Sequence, residues 1–143
     1  MIRPLRSLLP ALLAVLAIAT QVDAAEPRLA LGEVESVAAH ANTAWVRQAV
    51  REEIAFSESR APAGARVVLS VSVLAASTAP TAQGTSASCE VSFAVRDAKN
   101  GNLVATLRGR AQADGSPESA AHLERTAARR ALQSALAMLP QAL

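Results

Sequence analysis

Three stretches of apolar–polar alternation constrain this chain more than anything else in it. In Ala65 to Ala75, Val67, Leu69, Val71 and Val73 point one way and Val68, Ser70, Ser72 and Leu74 the other. Cys89, Val91, Phe93 and Val95 alternate with Glu90, Ser92, Ala94 and Arg96, and Leu103 to Ala113 repeats the pattern with Leu103, Ala105, Leu107, Gly109 and Ala111 as its small or apolar set. A period of two is the signature of a strand with one buried and one solvated face. Three such strands need a second layer to cover their apolar side.

The last two strands form a hairpin whose register follows from the side chains. Between them lies Asp97-Ala98-Lys99-Asn100-Gly101-Asn102, a run of turn residues. A two-residue Asn100-Gly101 loop would set Phe93 against Arg108 and Val91 against Arg110, mixing the faces. A three-residue loop, Lys99-Asn100-Gly101, sets Phe93 opposite Leu107, Val95 opposite Ala105 and Glu90 opposite Arg110. Both faces then agree, and glycine falls where the loop wants a left-handed residue. The three-residue loop is the reading adopted.

Two helices supply the cover. Asn42 or Thr43 caps the first, which runs to about Phe56 with Val46, Ala49, Val50 and Ile54 on one face, widened by Trp45 and Phe56. Ser116-Pro117-Glu118 starts the second, with Ala128, Ala131, Leu132, Ala135 and Leu139 as its stripe and Pro140 as its stop. Leu29 to Val37 alternates poorly and reads either as a first strand or as an extension of the first helix. Residues 77–88 (STAPTAQGTSAS) lose all periodicity and read as a flexible, exposed connection. The order is strand(?)–helix–strand–strand–strand–helix. It predicts an α+β, two-layer sandwich: an antiparallel-rich sheet of three or four strands with both helices on one face. Gly109 and the alanine stripe would let helix and sheet approach closely.

Residues 1–24 carry a different message. Arg3 and Arg6 precede the apolar run Leu8 to Ala19, and small residues follow at Ala24-Ala25. This is the three-part pattern of a cleavable secretory signal peptide. The apolar run is short for a bilayer span and is broken by Pro10. Cleavage leaves one domain, residues 25–143, exported to the periplasm or beyond a bacterial cell, with no transmembrane segment. Cys89 is the only cysteine. None lies near the cleavage point, so a lipoprotein is not expected, and no internal disulfide is possible.

Composition excludes several function classes. Without Arg3, Arg6 and Asp23 the chain keeps twelve cations and eleven anions, a net charge of +1. That gives no general pull toward nucleic acid. Trp45, Phe56 and Phe93 are its only aromatics, too few for a stacking platform beside a core. His40 and His122 lack the neighbours a metal site needs, and Cys89 has no basic residue beside it on its strand face. Glu52 and Glu53 point apart on a helix and read as solvated, while Glu33 and Glu35 would share a strand face. No nucleophile-elbow, phosphate-loop, zincin or dinucleotide motif occurs. Neither a cofactor nor a metal is expected.

What remains is the polar face of the sheet. Arg96, Arg108 and Arg110, with Ser70, Ser72, Ser92 and Thr106, make a cationic, hydroxyl-rich surface suited to phosphate or carboxylate. The plain alternative is a solvated face on which Glu90 neutralises Arg110. The expectation is a non-enzymatic module that binds or scaffolds another envelope component, protein or polymer. A small-ligand carrier would need a pocket of about 300 Å³ or more between sheet and helices. A hydrolase would need Glu33, Glu35 or a histidine brought to a hydrogen-bonded partner.

Overall fold

A computed structural model describes residues 28–38 and 42–143. The signal segment and His40 lie outside the described residues. The fold is α+β, with a four-stranded mixed sheet in the order β1-β2-β3-β4. The elements are β1 (Leu29–Ser36), α1 (Thr43–Glu58), β2 (Val67–Thr81), β3 (Gly84–Asp97), β4 (Leu103–Gly115), a 3-10 turn (Pro117–Ser119), α2 (Ala120–Leu136) and α3 (Leu139–Ala142). Both long helices cover the same face.

Residues 29–36 are a strand, which settles the first element. It pairs parallel to β2, with α1 as the crossover, whereas β2–β3 and β3–β4 are antiparallel. Pairing steps from Leu31↔Leu69 to Val34↔Val71, so β1 carries one extra residue in a bulge. Asn42 caps α1, its side-chain oxygen accepting from the Trp45 backbone N–H at 3.1 Å.

The β3–β4 register is the one the side chains require: Phe93 faces Leu107, Val95 faces Ala105 and Glu90 faces Arg110. The loop itself is one residue longer than expected. The Asp97 N–H donates to the Asn102 carbonyl at 2.9 Å, and the Asp97 side chain accepts from the Lys99 and Asn100 N–H groups. Gly101 takes the left-handed conformation, φ 73°. Pairing then jumps from Arg96↔Leu103 to Val95↔Ala105, so a bulge at Val104 restores the register.

Four expectations are corrected. Residues 77–88 are not a loose connection. β2 and β3 continue through them to a tight turn at Ala82-Gln83, with Ala87 and Thr85 buried. Small polar side chains hide the strand, but pairing with β2 on one side and β4 on the other satisfies its backbone. Phe56 does not join the core. It is 61% exposed, with the Arg60 guanidinium 4.6 Å from its ring centroid. Glu53 is not solvated. It is 7% exposed, accepts from Gln133 Nε2 at 3.0 Å, and lies 3.7 Å from Arg129, which also pairs with Glu52 at 3.0 Å. This cluster clasps α1 to α2. Finally, Pro140 does not end the long helix. That helix stops at Leu136, and Pro140 sits in the first turn of α3, where its missing N–H is no loss.

The core lies between the sheet and the two helices. Leu69, Val71, Val73, Val91, Phe93 and Val95 fill it from the sheet, Val50 from α1, and Leu132 and Leu139 from the C-terminal helices. Ala127, Ala131 and Ala135 are fully buried and bring α2 close to β3 and β4. Gly109 is the contact point. A Cβ there would land on the Ala131 carbonyl oxygen and 2.8 Å from the Ala135 nitrogen.

Candidate functional site

The uncovered face of the sheet is the first candidate. Strand alternation places Ser92, Thr106, Arg108 and Arg110 there, and cross-strand pairing puts Arg108 beside Ser92 and Ser92 beside Ser72. Arg108 and Arg110 are exposed on β4, an edge strand, about 7 Å apart along it. Among the described residues neither makes an ion pair or a hydrogen bond. Glu90 faces Arg110 across the ladder without pairing with it. Asp114, on the same strand, accepts from Gln112 at 3.0 Å. The Gln112 and Ser86 hydrogen bonds hold its carboxyl below the usual range. Arg96 stands apart. Its guanidinium donates to the Gly101 carbonyl at 3.1 Å and braces its own turn. The structure therefore brings two of the three predicted arginines together.

Among the described residues the catalytic candidates Glu33, Glu35 and His122 are not brought together. Glu33 lies within the β1 bulge and Glu35 just beyond it, both exposed, and His122 is exposed on α2. Among the described residues no cluster of three or more His, Cys, Asp or Glu side chains gathers to hold a metal.

The second candidate is a cavity that sequence reasoning did not locate. It arises from a bulge in β2. Pairing shifts between Val73↔Val91 and Ala75↔Glu90, so Leu74 is the extra residue. Before it, odd-numbered residues face the helices. After it, Ala76 and Thr78 pair with the core-facing Cys89 and Ala87. β1 stops pairing at Val73, so the rest of the β2–β3 hairpin overhangs the helices. Beneath the overhang lies a half-open cavity of about 370 Å³. Val46, Val73, Ala76 and Ala128 supply apolar wall, while Trp45, Thr78, Glu124 and Arg125 supply its polar and aromatic side. Thr78 Oγ1 donates to Glu124 Oε1 at 2.7 Å. The Arg125 guanidinium lies 6.0 Å from the Trp45 ring centroid. These side chains come from three separate elements, α1, β2 and α2, and no local motif announces them.

Cys89 also lines this cavity. Burial pushes its thiol from 9.0 up to about 11, which disfavours the nucleophilic thiolate. Native protein at pH 8 is expected to react with a disulfide reagent such as DTNB far more slowly than protein in urea. The neutral thiol is the form the fold prefers, and only the unfolded chain ionises near pH 9. This contribution should thus be intact below pH 9 and be lost as pH rises from about 9 to about 11. Urea titrations across that range, with Cys89→Ser as control, measure it.

No family model and no curated protein matches the chain. Solved structures do. A chain of the PelC dodecamer from Paraburkholderia phytofirmans superposes with a TM-score of 0.58 at 17% identity, covering 80% of this chain and 86% of that one. A point variant of that protein in another crystal form gives 0.51 at 18%, covering 80% and 85%. A minor lipoprotein from Acinetobacter baumannii gives 0.44 at 12%, covering 76% and 90%. Among the described residues no helix is long and apolar enough to cross a membrane. Over four-fifths of its length, the chain has the fold of a PelC subunit.

Proposed function

We propose that the chain is an exported, non-enzymatic module of the bacterial cell envelope that binds or scaffolds an acidic polymer or protein through its open sheet face. One observation carries the reading: among the described residues, Arg108 and Arg110 stand side by side on an uncovered face with no carboxylate satisfying either. Two guanidiniums among serine and threonine hydroxyls match the donor needs of carboxylates or phosphates. The N-terminal export pattern supports an envelope location. The fold likeness to PelC, described as a dodecamer, adds that a domain of this shape can serve in assembly.

The test is binding to a defined polyanion. The full chain is expected to bind polygalacturonate or inorganic polyphosphate with an affinity that falls as salt rises. The pair Arg108→Glu with Arg110→Glu is expected to weaken binding at least about tenfold, since charged hydrogen bonds are the strong ones. Arg96→Glu should weaken it less, because that guanidinium is engaged by its own turn. Unchanged binding in the double variant would remove the arginines from the account.

A further inference from the structure

We propose that the cavity beneath the β2–β3 overhang binds a small zwitterionic amphiphile, with its tail on the apolar wall and its headgroup between Glu124 and Arg125. The volume, about 370 Å³, lies at the lower end of the range for small-ligand sites, roughly 300–1,000 Å³. Val46, Val73, Ala76 and Ala128 give the tail a surface without polar competition. At the polar side the described residues offer one anion and one cation, and both are restrained. Thr78 fixes one oxygen of Glu124 and leaves the other to accept. Arg125 rests against the Trp45 ring, which orients the guanidinium while leaving its N–H groups to donate. A purely anionic head gains Arg125 but meets Glu124, and a purely cationic head meets the converse. A head carrying both signs is matched by both residues. The site shares no residue with the arginine face.

Trp45 is the only tryptophan of the chain, so its fluorescence reports occupancy directly. The full-length protein is titrated with N-decyl-N,N-dimethylglycine, decanoate and decyltrimethylammonium, each below its micelle concentration. The zwitterion is expected to give a saturable change, about fivefold tighter than either ion, as one like-charge contact at the surface implies. Ala121→Phe, at an exposed lining position of α2, is expected to abolish the change. Ala76→Phe on the facing strand, at a lining position that the register turns toward the helices, is a second blocking variant. Glu124→Gln should shift the preference toward decanoate, and Arg125→Gln toward the ammonium probe. Arg108→Glu with Arg110→Glu should leave the titration as it was, which separates this proposal from the sheet-face reading. No saturable response in protein with native circular dichroism overturns the proposal. So does a response that survives both blocking variants, or an order of preference that neither charge variant changes.

Discussion

Replacing Gly109 by alanine is expected to cost about 3 kcal/mol, a large part of the stability of a domain this size. In most strands the same change is neutral or favourable, because glycine has more freedom to lose on folding. Here the sign reverses for a local reason. The added Cβ meets the backbone of α2 at Ala131 and Ala135. No side chain can rotate out of the way, so the helix must lift from β4. Lifting it opens the contacts of Ala127, Ala131 and Ala135, all fully buried. A fall in melting temperature of about 10 °C checks it. A variant as stable as the parent would mean that the helix does not rest on the strand at this point.

Phe93→Ala is expected to be at least as damaging, at about 4 kcal/mol. Phe93 is the largest of the fully buried side chains. It lies on β3 between Val71 of β2 and Leu107 of β4. The neighbouring strands are held by the hydrogen bonds of two ladders and cannot collapse into the space left behind. Phe93→Leu, which keeps most of the volume, should cost about 1.5 kcal/mol. Urea midpoints for the two variants measure the difference. Equal costs would mean that the site relaxes freely.

The part of the fold that could be read from the sequence was the part where side-chain size and polarity repeat the backbone period. Val67 to Val73 and Cys89 to Val95 declare their buried faces, and matching those faces against Leu107 and Ala105 sets the hairpin register. Gly109 beside an alanine stripe marks a close approach because both lack bulk. Residues 77–88 were illegible for the opposite reason. Serine, threonine and alanine are small enough for either side of a sheet, so no alternation results. Their strand state comes from partners distant in sequence, Gln112 and Asp114 among them. Phe56 and Glu53 show the same limit on a helix. Which of two neighbouring faces α1 buries depends on where α2 lies, and Gln133 and Arg129 decide it.

The candidate sites divide along the same line. Arg108 and Arg110 are two apart on one strand, so their shared face follows from the period of two alone. Arg96 looked equivalent by that rule, but the carbonyl of Gly101 engages it, and this depends on how the four-residue loop closes. The cavity had no sequence signature. It exists because one extra residue at Leu74 reverses the faces of β2 beyond the end of β1. A bulge of that kind leaves no trace in composition, and the lining residues Trp45, Thr78, Glu124 and Arg125 span three elements.

The central claim is that the open sheet face is the binding surface, and amide chemical-shift mapping addresses it most directly. Labelled full-length protein titrated with polygalacturonate is expected to show its largest perturbations at Ser92, Thr106, Arg108 and Arg110. Smaller ones should reach Ser72, and none should appear at Ala127 or Ala131 on the helical layer. Perturbations confined to the helices, or no perturbation at low salt, would contradict the account.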